Sequence, residues 1–248
     1  SSYINTWPTD SQFYSGGETY EETSYIYLAA LGLRDMALRA GNETEAVIYS
    51  SLASTIQQAL PQLWVTSNGH PSSHREESGH RRLRPDPWLY SVFLPIEAGL
   101  FTQEEAAQAL FYTEWGLERD PIFCDTISST QCGNVVWTSN WIPSQWSVRQ
   151  LWSGDNSGLS LAYFLTGLPD DGFNNLYGNL HRDMLQSAVP GMTGGSNGGT
   201  DFNDCVHPLS RTLVSGLFGY LPDYLNTDVI GGTVTIAPQF PKEWNVSS

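Results

Sequence analysis

Apolar residues recur along this chain at helical spacing, and breaks in the pattern divide it into pairs. Between Glu21 and Ala40 the residues Tyr25, Leu28, Ala29, Met36 and Ala40 follow a helical period, and Gly41-Asn42 supplies a stop. From Thr44 to Trp64 the stripe is Tyr49, Ala53, Ile56, Leu60 and Leu63, closed by Asn68-Gly69. The short break between them predicts an antiparallel helical hairpin. A polar loop rich in His, Arg and Ser follows. A second hairpin begins at Trp88, and its first helix ends near Ala98-Gly99. Its second helix opens on Thr102-Gln-Glu-Glu105, the spacing of a capping box, and runs to about Gly116.

After an intervening cysteine loop, "NWIPSQWSVRQLWSGDNSGLSLAYFLTGL" predicts a short helix, a break at Ser153-Gly154 and a helix to Leu165. Pro169-Asp170 starts another, with Phe173, Leu176, Tyr177, Leu180 and Met184 on one face. "HPLSRTLVSGLFGYL" reads as the last helix, and the alternation of Thr233–Pro238 as a short strand. The expectation is about eight helices in an all-α array of hairpins. The irregular loops between pairs are long enough to be functional.

Charge narrows the possible partners. Among 248 residues the formal net charge is −15, and the cations are ten Arg and one Lys, Lys242. A nucleic-acid binder needs a positive footprint that this chain lacks. The basic run "HREESGHRRLR" is interrupted by Glu76 and Glu77 and reads as a loop with internal ion pairs. No stretch has the roughly 20 apolar residues of a membrane span.

Cys124 and Cys132, seven residues apart in "CDTISSTQC", can close a small disulfide ring, leaving Cys205 over. Zinc is the competing reading, but the spacing fits no common ligand pattern and no histidine is near in sequence. Asn42-Glu-Thr and Asn245-Val-Ser are N-glycosylation sequons. With acidity, scarce lysine and many aromatics, these features point to a secreted protein that needs no cofactor or metal.

The loops collect aromatic and charged residues: Trp7, Asp10, Glu18, Glu21, Glu22, His80, Arg84, Asp86, Trp88, Trp137, Trp141, Trp146, Arg149, Trp152, Asp155, Asp201 and Asp204. Aromatic faces stack on sugar rings, while carboxylates and Arg bind hydroxyls through charge-assisted bonds. A facing pair of carboxylates is what glycosidic cleavage requires. Other chemistries lack their signatures. No Gly-Lys-Ser/Thr follows the glycine-rich "VPGMTGGSNGGTDFND", no Gly-x-Ser-x-Gly elbow is present, and there is no His-Glu-x-x-His helix. The glycines of that loop would let the backbone turn tightly beside a ligand and present Asp201.

Four segments carry a family likeness. They are the hairpin ending in Leu63-Trp64, "RPDPWLYSVFLPIEAGLFTQEEAAQAL", the Trp-rich loop through "SGDNSGLSLAYFLTGL", and "GGTDFNDCVHPLSRTLVSGLFGYLPD" with "VTIAPQFPKEW". In these the chain resembles the six-hairpin glycosidases of the (α/α)6 toroid superfamily. The resemblance implies a single α-hairpin toroid domain over 1–248. Because a full toroid has twelve helices, the chain resembles the C-terminal part of one, lacking its first hairpins, with a short terminal strand region.

It also implies a carbohydrate-active protein, a glycoside hydrolase with an acid/base carboxylate pair. The partners implied are an oligo- or polysaccharide and the missing N-terminal part of the same precursor. The loop before the last helix has no Glu, so Asp201 takes the place of the base. The acid is expected among Glu18 and Glu22, and "SGDNS" keeps Asp155 as a further candidate. Trp7, Arg84, Asp86, Trp88, Trp141, Trp146, Arg149 and Trp152 are the expected sugar contacts. The rival readings are a non-catalytic carbohydrate-binding or structural protein that retains the toroid, and a polysaccharide lyase using His80, Arg84 and Tyr90.

Overall fold

The computed structural model describes residues 17–86, 88–125, 127, 129–140, 149–186, 206–222 and 234–244. Seven α-helices lie among them: α1 (Tyr20–Arg39), α2 (Glu43–Ala59), α3 (Tyr90–Glu97), α4 (Gln103–Gly116), α5 (Ser153–Leu165), α6 (Pro169–Leu180) and α7 (Val206–Arg211). Helix α7 continues as a π-helical turn over Thr212–Leu217. The short helix expected before Ser153 falls mostly outside the described residues.

Local sequence sets the helix ends. Thr19 accepts a hydrogen bond from the Glu22 backbone N–H at the start of α1, and Asn42 does the same for Glu45 in α2. Gly41 ends the first helix with φ of 71°, a left-handed conformation that costs glycine little. Thr102 and Glu105 form the reciprocal capping box expected at α4.

The helices stack in a repeating order. Helix α1 packs on α2, α5 on α6, and α3 contacts α4. The first helix of each pair also packs on the first helix of the next, α1 on α3 and α3 on α5, and α5 then meets α7 and its π turn. One core unites α3, α4 and α5 around Leu89, Val92, Leu110, Leu159 and Tyr163. A second joins α1 and α2 through Tyr20, Tyr27, Ala53, Ile56 and Leu60. A third joins α5, α6 and the last helix through Phe164, Leu176, Leu209 and Leu217.

Three features differ from the sequence expectation. The stripe read in α1 is not its buried face. Tyr25, Leu28 and Met36 are exposed, and the helix buries Tyr20, Ser24, Tyr27, Ala30 and Ala37 instead. Tyr20 and Tyr27 join Ala53, Ile56 and Leu60 in a shared core with α2, and that packing selects the face. Second, Ser153-Gly154 is not a break. Trp152 is extended, and α5 begins directly at Ser153.

Third, the cysteine loop is a β-hairpin, β6 (Arg119–Asp125) and β7 (Thr130–Val136). Neither strand alternates cleanly in polarity, because register shifts near Phe123 disturb the two-residue period.

Short strands decorate the helix ends. β1 (Gly17–Glu18), β4 (His74–Glu76) and β5 (Leu83–Arg84) form one antiparallel sheet in the order β1-β4-β5. β2 (Trp64–Val65) pairs with β3 (His70–Pro71), and β8 (Tyr220–Pro222) pairs with β9 (Val234–Ile236). The basic loop holds the internal ion pairs its sequence suggested. Arg82 and Arg84 both pair with Glu76. Cys124 and Cys132 are joined as a disulfide.

Candidate active site

The first turn of α5 is fixed from behind. Asn156 accepts from the Val136 N–H at 2.7 Å and donates to the Val136 carbonyl at 3.0 Å, so a helix side chain completes the ladder of β7. Asn175 of α6 donates to the Asn156 carbonyl, and Asn179 donates to the Ser153 carbonyl. These buried amides leave Asp155 little freedom. It is 6% exposed, in the first turn of α5, where the helix dipole favours an anion.

Asp155 opens onto a cavity of about 270 Å³. One face of each helix lines it: Tyr90, Phe93, Leu94 and Glu97 of α3, Gly154, Asp155, Gly158 and Leu161 of α5, Pro208 and Arg211 of α7, with Tyr25 of α1 and Thr212. The helices meet closely here. A Cβ on Gly158 would stand 2.8 Å from the Phe93 ring. Thr212 Oγ1 donates to the Ser157 carbonyl at 2.8 Å and ties the last helix to α5. The volume is near the lower bound of ligand pockets, roughly 300 Å³, and suits one ring-sized group.

The cavity holds two unlike carboxylates. Asp155 accepts a hydrogen bond from the buried Tyr90 hydroxyl. Burial, then Asp155, then Glu21 and Tyr25, hold that hydroxyl well above its ordinary pKa, so it remains a donor. Glu97 has a side chain only 8% exposed, and burial raises its pKa, with Arg211 at 2.8 Å opposing the rise. Tyr25 faces both. Its pKa is raised by burial, then by Glu21, Glu97 and Asp155, with Arg211 opposing. Glu21, 4% exposed in the first turn of α1, belongs to the same electrostatic group.

The sequence candidates divide. Asp155 lies in the cavity wall. Trp88 stacks on the cavity residue Tyr90 with centroids 5.2 Å apart, and the buried Trp152 precedes α5 at its N-cap position; neither lines the cavity itself. Glu18 instead pairs with Arg75 and Arg81 on β1. Glu22 is half-buried in the first turn of α1 and does not line the cavity. Arg84 pairs with Glu76, and Arg149 pairs with Glu118 while lying over the Trp137 ring. Asp86 is half-buried near His74 and Tyr112. Trp7, Trp141, Trp146, Asp201 and Asn245 lie outside the described residues.

Glu97 and Arg211 did not emerge from the sequence. The available signal was the single charge in "YSVFLPIEA", an otherwise apolar helix. A carboxylate in such a run is either costly or used.

No family model matches the chain, and no curated protein matches it in sequence. Among solved structures the chain is similar to a sialidase. The two are 15% identical, with a TM-score of 0.67 over 92% of this chain and 22% of that one. At that identity the likeness shows a shared helix-rich fold. This chain spans 22% of the sialidase chain's length.

Proposed function

We propose that the protein is a secreted glycoside hydrolase whose carboxylate pair is Glu97 and Asp155. The observation that carries this reading is the aromatic-lined cavity with two buried carboxylates, Glu97 paired with Arg211 and Asp155 with the Tyr90 hydroxyl. A carboxyl raised by burial is suited to donate a proton, and a carboxylate held by a hydroxyl and a helix N-terminus is suited to the partner role. Glu97, raised by burial, holds a proton for the leaving glycosidic oxygen. Asp155, oriented by Tyr90 and the α5 N-terminus, activates water or attacks the anomeric carbon. Tyr25 and Tyr90 offer faces and hydroxyls to a sugar ring. The sialidase likeness supports a fold compatible with this chemistry; fold alone assigns none.

The test is hydrolysis of a panel of aryl glycosides and oligosaccharides by the wild-type chain, Asp155→Asn and Glu97→Gln. Loss of turnover in both, with unchanged circular dichroism, is expected. Full activity in Asp155→Asn would sink the assignment. Sugar binding without turnover on any glycoside would favour a carbohydrate-binding protein. Asp201, the base expected from the sequence, enters the same assay as Asp201→Asn, and full activity there removes it.

The wider architecture is part of the same proposal. The repeated stacking of α1, α3, α5 and α7 supports an arc of an (α/α)6 toroid. On the outer side of the first hairpin, Met36, Val47 and Ile48 are 67%, 64% and 58% exposed. That face fits preceding hairpins of a longer precursor. The 248-residue chain should then bind an apolar dye there, and a longer precursor should not; equal dye binding by both counts against it. For secretion, Asn42 is exposed and caps α2 through its oxygen, leaving its amide nitrogen for a glycan. An Asn42 peptide of the natively produced protein that carries no glycan mass would remove this part.

A further inference from the structure

The disulfide lies beside a histidine, His181. The Cys124 and Cys132 sulfurs and a ring nitrogen of His181 all lie within 4.8 Å of one another. His181 follows α6 directly, 49 residues beyond Cys132 in number, so sequence spacing could not reveal the group. We infer that, once the disulfide is reduced, Cys124, Cys132 and His181 form a three-ligand site for a zinc-class divalent cation.

Rigidity supports this. The β6–β7 hairpin lies against α6 with backbone touching backbone. A Cβ on Gly133 would run into the Asn174 carbonyl, and one on Gly178 would stand 2.7 Å from the Asn134 backbone. Gly133 adjoins Cys132, and Gly178 is less than one helical turn before His181. This close backbone contact fixes the hairpin that carries the cysteines against the helix that leads to His181. Gln186 Nε2 donates to the Phe123 carbonyl and clamps the neighbouring residue of Cys124. The Tyr177 ring meets His181 edge-on at 4.7 Å between centroids and restricts its rotation.

The chemistry fits zinc. Two thiolates, one imidazole and a water form a known zinc ligand set, with Zn–S about 2.3 Å and Zn–N about 2.0 Å. In a tetrahedron those bonds place the ligand atoms roughly 3.5–3.8 Å apart. Once the S–S bond is cut, the two sulfurs must move apart to that spacing, and the three ligand atoms already lie within 4.8 Å of one another. Cys124 is exposed, with Cys132 and His181 partly buried, so reductant and ion can both enter. A phosphine reductant cleaves the S–S bond, supplies two electrons and becomes the phosphine oxide with oxygen from water. The two thiols then release their protons to solvent as the ion binds.

The test uses the full chain in a Cys205→Ser background, reduced by phosphine and freed of excess reductant under argon. Cobalt(II) is the probe, followed by its thiolate charge-transfer absorption and displaced by zinc. One ion per chain is expected, and none in the oxidised protein. His181→Ala and His181→Gln should each weaken binding at least tenfold, and Cys124→Ser with Cys132→Ser should remove the charge-transfer band. Circular dichroism of each variant checks the fold. A reduced protein that takes up no stoichiometric cobalt overturns the inference. So does a folded His181→Gln variant that binds as tightly as the parent.

Discussion

The Tyr90 hydroxyl on α3 donates to the Asp155 carboxylate on α5, joining two helices that are 65 residues apart at the contact. The bond turns a helix-packing contact into a positioned carboxylate. A hydrogen bond to a charged group contributes about 1.5–3 kcal/mol. If Asp155 performs the proposed chemistry, Tyr90→Phe lowers kcat by about 10- to 100-fold, since about 1.4 kcal/mol is a factor of ten. Substrate binding should change less. Steady-state kinetics that show KM rising with kcat constant would contradict a positioning role.

The pH profile reports on Glu97. Burial raises Glu97, so the proton it must donate is lost as pH rises through its elevated pKa. That gives the profile its alkaline limb. Arg211 pulls Glu97 downward, so Arg211→Gln should move the alkaline limb to higher pH. Kinetics across the acid-to-neutral range check the sign, and a shift to lower pH would contradict it.

Stability follows the same linkage. A carboxyl whose folded pKa is raised stabilises the fold fully below its unfolded pKa. That contribution is lost as pH rises through the folded value. Glu97→Gln should therefore gain stability relative to wild type at neutral pH and lose the difference in acid. Chemical denaturation at two pH values measures this. A variant with the same difference at both would show that Glu97 does not titrate on folding.

Asn156 is the support of the site. Asn156→Ala leaves the buried Val136 N–H and carbonyl without their partner. Each such group costs about 1–3 kcal/mol. The variant should unfold several degrees below wild type, given about 2–4 °C per kcal/mol for a chain of this size. A melting point unchanged in scanning calorimetry would mean that water replaces the amide there.

Gly158→Ala probes the cavity wall. The added methyl would meet the Phe93 ring at 2.8 Å, in contact between α3 and α5. Overpacking of this kind costs about 1–3 kcal/mol. Lower stability with reduced glycoside turnover is the expected outcome, and an unaffected variant would indicate that the two helices are loosely packed.

The sequence by itself determined the hairpins. Helical periodicity, the Thr102–Glu105 capping box, the Gly41 stop and the Cys124–Cys132 pairing are local patterns, set by backbone geometry and short loops. It placed Asp155 on the candidate list but not Glu97, because a single glutamate in an apolar helix acquires its role from what faces it. Tertiary structure decided those encounters. It turned α1 so that Tyr20 and Tyr27, and not Met36, are buried, because the close approach of α2 and α3 selects the face. It brought Glu97 to Arg211 and Asp155 to Tyr90, and His181 to the cysteines. Periodicity fixes which residues share a helix face; only packing between helices fixes which faces meet.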